Sequence, residues 1–357
     1  MSSLPEKKND QLTAAWQSPS NIALIKYWGK HGRQLPRNAS ISFTLSEART
    51  QTSVQLTPIQ HTEEIELSLY FEGQRHQGFE NRTKNYFQEL SMLFFPWLKE
   101  HSIRIDTSNT FPHSSGIASS ASGMSALALC LCELDAKLRN AETDHESFLK
   151  RASLISRLGS GSACRSTYAL LALWGTHESV PSSSDMYAIG LGDELHPVFR
   201  NYHDDILIVS DREKSVSSSA GHQLMENNVY ASARYNQAQE RLTAMLQALR
   251  EGNLQAFVKM TEEEALTLHA LMMCSSPSYT LMTPETLNVI QHIQNYRRET
   301  GIPVCFTLDA GPNVHILYPN EVAPQVSSLI QDHLLPMCSG ARIIRDKVGS
   351  GPCPVAR

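Results

Sequence analysis

The sequence predicts an α+β fold in two domains, and three observations carry that prediction. The chain has 357 residues, too long for one small core and right for two of ordinary size. Its first half places strand-like segments ahead of a Gly/Ser loop and a long helix. Its second half mixes helices and strands around one hairpin, which fits a ferredoxin-like domain and not a doubly wound sheet.

Taken in order, residues 1–12 read as a loose polar tail, with an N-terminal domain expected at 13–195 and a C-terminal domain at 196–357. Apolar residues 22–25 form a short strand that runs into Lys26, Tyr27 and Lys30. Segments 35–45, 51–56 and 65–71 have strand character, the last two by alternation. Residues 86–99 read as an amphipathic helix, 102–107 as a strand feeding the loop, and a helical pattern starts near Met124. The turn-rich stretch 181–194 is the expected crossing between domains. A strand at 205–210 leads into a hydroxyl-rich turn, 211–221, carrying Arg212 and Lys214. Helices follow at 223–249, 254–273 and 285–299, the last introduced by Thr283-Pro284-Glu285. Strands at 304–308 and 314–318 flank the turn Asp309-Ala310-Gly311-Pro312-Asn313. A helix at 322–333 and a strand at 343–348 close the chain.

Composition narrows the function classes. Charged residues make up 19% and the formal net charge is −5, so neither a nucleic acid nor a membrane surface is expected as the main partner. An anionic substrate would need a local cluster of cations. The seven cysteines are odd in number and follow no zinc spacing; Cys130 and Cys132 fit core thiols, and Cys164 has no histidine near it in sequence to make it a nucleophile. The first residues lack the apolar core of a signal peptide, and no run approaches ~18 apolar residues. The expectation is a cytoplasmic protein.

The densest stretch is 111–128, FPHSSGIASSASGMSALA. Gly116 and Gly123 let backbone approach a ligand closely, the serine hydroxyls donate, and the following helix points unpaired N–H groups back at the loop. That chemistry suits phosphate, although a Ser/Gly loop capping an ordinary helix accounts for the same residues. The spacing is neither Walker A nor the Rossmann GxGxxG. A second cluster, 159–166, presents Ser160, Ser162 and Arg165 from a tight turn, where a guanidinium can grip a carboxylate or phosphate with two hydrogen bonds. Lys26, Tyr27 and Lys30 offer two cations and a phenol within five residues, either as an anion clamp or as snorkelling lysines at a strand end. Asp309 is by default a turn residue bonding its own backbone. Three features point beyond that: rigid strands flank its turn, phosphoryl transfer to an alcohol requires a base, and the other motifs have no acidic residue beside them. An aspartate near Lys26 or Arg165 would stay ionised and accept or orient an alcohol proton.

The loop, with Pro112, Gly116, Ile117, Ser119 and Ser120 in Pro-x3-Gly-Ile-x-Ser-Ser order, resembles that of the GHMP small-molecule kinase superfamily. Five segments in family order resemble its diphosphomevalonate decarboxylase branch: 21–30, 112–123, 159–166, 309–313 and 348–352. The resemblance implies the GHMP kinase fold, an N-terminal ribosomal-protein-S5-domain-2-like domain and a C-terminal ferredoxin-like domain with the active site in the cleft between them. It implies ATP with Mg2+, a mevalonate 5-diphosphate substrate and a homodimer. It also implies roles. Asp309 would act on the tertiary hydroxyl, and Arg165, braced by Asn21, would hold the carboxylate that leaves as CO2. Lys26, Tyr27, Lys30, Ser160 and Ser162 would contact the substrate. Pro112, Ser115, Gly116, Ser119, Ser120, Ser122 and Gly123 would form the ATP-phosphate loop. No protein ligand for the metal is evident. Alternatives within this resemblance are a mevalonate 5-phosphate decarboxylase, a mevalonate 3-kinase and a non-catalytic nucleotide-binding protein. The chain departs from the family pattern at Ala169-Leu170, where a Gly-Gly pair is usual, and in the segment after Gly221, where His222 and an Asn-rich run stand in place of methionine and threonines.

Overall fold

The computed structural model describes residues 11–112, 117–210, 216–338 and 341–355. Ser115 and Gly116 of the expected phosphate loop, Arg212 and Lys214 of the later turn, and residues 1–10 of the expected tail lie outside the described residues. Leu12, assigned to that tail by the sequence reading, already opens the first strand.

The first half contains β1 (Leu12–Ile25), β2 (Ser40–Pro58), β3 (Leu67–Phe71), α1 (Gln77–Leu93), β4 (His101–Asn109), α2 (Ser119–Arg139), α3 (His145–Gly159), β5 (Leu171–Trp174) and β6 (Ala188–Gly190). The second half contains β7 (His203–Ile208), α4 (Ala231–Glu251), α5 (Leu254–Met273), α6 (Pro284–Thr300), β8 (Cys305–Thr307), β9 (Val314–Tyr318), α7 (Ala323–Leu329), β10 (Arg342–Ile344) and β11 (Cys353–Pro354). In the first sheet the order is β11-β1-β2-β4-β3, with β5 pairing β2 and β6 pairing β5. The second sheet is antiparallel in the order β8-β9-β7-β10.

The two segments expected as separate strands, 35–45 and 51–56, are mostly one 19-residue strand, β2. Its halves do different work. From Ala48 to Leu56 every second residue is buried, the signature of a sheet with one covered face, and Val54 and Leu56 pack with Leu127, Leu131 and Ile155 of the helix layer. From Ser40 to Leu45 every residue is buried. There Ile41, Phe43 and Leu45 enter a core shared with the second half, where Phe43, Phe199, Tyr202 and Phe257 meet at ring-centroid distances of 4.9–6.3 Å. Each such aromatic contact adds about 0.5–1.5 kcal/mol beyond area burial. The opposite face of the same segment carries Ser40, Ser42 and Thr44.

Several boundaries move for identifiable reasons. The helix expected at 86–99 is α1, starting at Gln77 with the His76 side chain accepting from Phe79 N–H, and it stops before Pro96, which opens a separate 3₁₀ turn, Pro96–Lys99. The helix expected from Met124 begins at Ser119. The single helix expected at 223–249 divides into a short helix, Ser218–Gln223, and α4. The helix expected at 322–333 is α7 followed by a π turn, Ile330–Leu334. Inside the expected crossing 181–194, β6 still pairs with β5, so the chain leaves the first sheet after Gly190. The strand expected at 343–348 is shorter, and the Gly/Pro-rich end returns to the first sheet, Cys353 opposite Gln17 and Pro354 opposite Trp16.

Candidate active site

The site begins where β1 ends. Beyond Ile25 the chain turns through Lys26, whose side chain is 2% exposed, and this turn is held from outside. Its N–H donates to Glu264 Oε2 of α5 at 2.9 Å, and its carbonyl accepts from Asn38 Nδ2 and Arg234 Nη2, both at 3.0 Å. Glu264 is in turn clamped by Arg234 and Arg241 at 2.6–2.8 Å. Lys26 is thereby fixed in place, and its Nζ lies 3.3 Å from Asp309 Oδ1. Burial pulls the lysine pKa below its ordinary value, with Asp309 working against that shift.

Asp309 comes from the loop between β8 and β9. The loop is tied at both ends. Asn313 Oδ1 accepts from Val209 N–H at 2.9 Å and Ser210 N–H at 3.1 Å, and Thr286 Oγ1 donates to Pro312 carbonyl at 2.8 Å. His269 Nε2 lies 3.1 Å from the Asp309 carbonyl oxygen. The carboxylate is 28% exposed and lines the cavity described below.

Arg165 sits in the 3₁₀ turn Gly161–Thr167 and is 3% exposed. Its guanidinium donates to Asn21 Oδ1 (3.2 Å), Ser42 Oγ (3.0 Å) and Ser40 Oγ (2.6 Å), and it approaches the Trp174 ring at 6.0 Å. Asn21 is oriented for this by donating to Ser166 Oγ at 2.8 Å. Every hydrogen-bond partner of the guanidinium among the described residues is neutral, and the negative charge of Asp309 acts on it only across the cavity, without a hydrogen bond. Such a group attracts an anionic ligand.

One cavity of about 360 Å³ brings these parts together. Lys26, Tyr27, Lys30, Ser160, Ser162, Arg165 and Asp309 all line it, together with Ser120 and His222. Of the expected substrate-contacting residues only Asn21 stands behind the wall, as the brace for Arg165. A second cavity of about 280 Å³, lined by Ser119, Ser120 and Gly123 with Leu69, Phe71 and Tyr86, adjoins it, and Ser120, Gly159 and Arg82 border both. Helix α2 starts here with Ala118 in the left-handed region (φ 47°) and no side-chain cap, so its first N–H groups face the junction. Two expected phosphate-loop residues fall elsewhere. Ser122 is fully buried with its hydroxyl 2.6 Å from Thr50 Oγ1, and exposed Pro112 lines neither cavity. Cys164 is an inert core thiol, its pKa pushed up by burial to about 12.

Two family models match the chain: "Diphosphomevalonate decarboxylase-like N-terminal domain" over residues 18–188 and "Mevalonate 5-diphosphate decarboxylase C-terminal domain" over residues 205–353. The diphosphomevalonate decarboxylase of Ganoderma lucidum is 31% identical over 340 residues, covering 90% of this chain and 81% of that protein. The chain belongs to the diphosphomevalonate decarboxylase family. The Saccharomyces cerevisiae diphosphomevalonate decarboxylase is likewise 31% identical, covering 86% of this chain and 78% of its own. Among solved structures, mevalonate diphosphate decarboxylase from Staphylococcus aureus superposes with a TM-score of 0.82 at 27% identity, covering 97% of this chain and 98% of that one. MDDEF in complex with MVAPP, AMPPCP and magnesium gives 0.80 at 25% identity, covering 97% and 100%. The fold is therefore that of the family, in two domains.

Residues that the sequence reading missed are those that position the others: Glu264, Arg234, Asn38 and His269. A signal for one was present. Glu264 falls on the apolar stripe of α5 with Phe257, Met260, Leu268 and Leu271, where a carboxylate needs a reason.

Proposed function

We propose that the chain catalyses ATP-dependent decarboxylation of mevalonate 5-diphosphate to isopentenyl diphosphate, CO2, ADP and phosphate. The observation that carries this reading is the meeting of Asp309, Lys26 and Arg165 in one cavity that opens onto an uncapped helix N-terminus. A tertiary alcohol leaves poorly, so the 3-hydroxyl is first phosphorylated. Asp309 orients that hydroxyl and takes its proton as the oxygen attacks the terminal phosphorus of ATP and the bond to ADP breaks. The C–O bond to the new phosphate then breaks, and the electron pair of the bond to the carboxylate carbon forms the alkene as CO2 departs. Lys26 stabilises negative charge at the transferred phosphoryl oxygens. Arg165 holds the carboxylate in line. Tyr27, Lys30, Ser160 and Ser162 receive the remaining polar groups of the substrate.

The nucleotide phosphates fit at the start of α2, against Ser119, Ser120 and Gly123, and the adjoining apolar cavity has the character a purine requires. No group of three or more His, Cys, Asp or Glu among the described residues could hold a metal ion. Magnesium would therefore be held chiefly by phosphate oxygens and water, where it neutralises their charge. The domain division near residue 195, a homodimeric assembly and a cytoplasmic location complete the reading. The first is supported by the two separate sheets, the second by the family resemblance, and the third by composition, no helix among the described residues being long and apolar enough to cross a membrane.

The test is release of CO2 from carboxyl-labelled mevalonate 5-diphosphate with Mg-ATP, with ADP followed in parallel. Equal amounts of both products, and less from the 5-phosphate, are expected. ADP without CO2 would make the chain a 3-kinase and remove the role given to Arg165.

A further inference from the structure

His222 is the departure from the family pattern that lies on the cavity wall itself. It sits near the end of the short helix Ser218–Gln223, is 8% exposed, and packs against Tyr27 and Trp28 at ring-centroid distances of 4.3 and 4.6 Å. Those two rings fix the plane of the imidazole. The Gly29 N–H reaches its Nδ1 at 3.0 Å. A backbone N–H only donates, so Nδ1 supplies a lone pair and the ring proton resides on Nε2. Gly29 is committed to this geometry: its φ is +92°, and a Cβ there would come within 2.3 Å of Tyr235 Oη. Burial, with nearby Lys30 adding to it, lowers the His222 pKa to about 3 and keeps the ring neutral.

The result is a neutral N–H donor of defined direction. Nε2 has no hydrogen-bond partner among the described residues, although its ring lines the cavity. The ring edge opens onto the cavity, where an acceptor on a bound ligand can meet the Nε2–H. The chemistry of the neighbours says which. Lys30, Ser218 and Ser219 line the same cavity, a cation with hydroxyls, whereas Lys26 is paired with Asp309 at 3.3 Å.

We infer that His222 is a specificity residue that donates its Nε2–H to the terminal phosphate of the substrate's diphosphate, alongside Lys30. The inference rests on the substrate reading above. A methionine at this position could pack against the same rings but could not donate.

The test compares the unmodified chain with His222→Asn, which keeps an acceptor for Gly29 N–H but whose shorter side chain holds its N–H donors short of the Nε2 position, and His222→Gln, which returns an N–H near that position. For mevalonate 5-diphosphate, His222→Asn should lose about tenfold in kcat/KM, through KM, with kcat within about twofold. For mevalonate 5-phosphate, as substrate or competing inhibitor, the same variant should change by less than about twofold, and His222→Gln should recover much of the diphosphate loss. Equal losses with both compounds would mean a purely structural histidine and overturn the assignment, as would no loss with either. An unmodified chain that releases no CO2 from the diphosphate would instead overturn the functional reading, a result separable from the other two.

Discussion

Asp309 faces Lys26 at 3.3 Å although 283 residues separate them, and each arrives at the end of a different sheet. Neither sheet alone contains a site. Catalytic competence therefore depends on how firmly the two halves are joined as much as on the groups themselves.

Replacing Asp309 by Asn keeps size and a hydrogen-bonding carbonyl but removes the proton acceptor. Turnover should fall roughly 10²- to 10⁴-fold, the span attributable to a positioned base. ATP affinity, followed by a fluorescent analogue, should stay within about threefold, because the proposed site for the phosphates is the start of α2. A near-normal rate would remove Asp309 from the mechanism.

Arg165→Lys retains charge but not the planar fork that meets Asn21, Ser40 and Ser42 together. The shorter set of donors leaves at least one of those hydroxyls without its partner and misplaces the cation. A loss of about a hundredfold or more in CO2 release is expected. Thermal unfolding measured alongside separates a site effect from a folding one, and a lysine variant with parental kcat would contradict the fork argument.

Glu264→Gln tests the support of Lys26. The carboxylate is fully buried between Arg234, itself 3% exposed, and Arg241, so neutralising it strands a buried guanidinium. Such a break costs about 3–5 kcal/mol. Urea unfolding should show the loss, and the folded fraction should bind substrate poorly because the Lys26 turn has lost its anchor. Unchanged stability would show that the network contributes little.

His269 gives a pH dependence whose sign follows from its burial. Its pKa falls from 6.5 to about 4 in the folded chain, chiefly by desolvation. A depressed pKa means that the unfolded chain binds more protons between those values. The stabilisation is therefore complete above pH 6.5 and is lost as pH falls towards 4, by about 3 kcal/mol at most for this one group. Measured by urea midpoints at pH 7 and pH 4.5, His269→Gln should shrink the difference between the two conditions. His222 acts in the same direction, so part of the slope should remain. A variant with the parental slope would mean that His269 is not the group titrating.

The groups that line the cavity were more legible than those that hold them. Lys26, Arg165 and Asp309 stand beside glycine, serine and proline, where local backbone chemistry announces a turn. Glu264 and Arg234 lie inside long helices, and only their pairing across α4 and α5 gives them meaning; a one-dimensional pattern shows each as an ordinary charged position. The strands were readable where one face is wet, as in Ala48–Leu56 of β2. The other half of β2 lost its alternation because Phe43 and its neighbours are covered by the second domain while Ser40 and Ser42 are covered by Arg165. The buried state of Ser122 was hidden for a related reason: a hydroxyl bound to Thr50 in the core and one facing phosphate look alike in a serine-rich run.

The pairing of Cys353 and Pro354 with Gln17 and Trp16 bears on biosynthesis. A ribosome delivers β1 long before β11, since Gln17 and Cys353 lie 336 residues apart. Until β11 emerges, this stretch of β1 has an edge whose N–H and C=O groups lack their final partners, and exposed edges invite pairing with other chains. The order of synthesis and the order of strands in the sheet are at odds at this place, so the nascent protein has to guard one seam until its partner strand arrives.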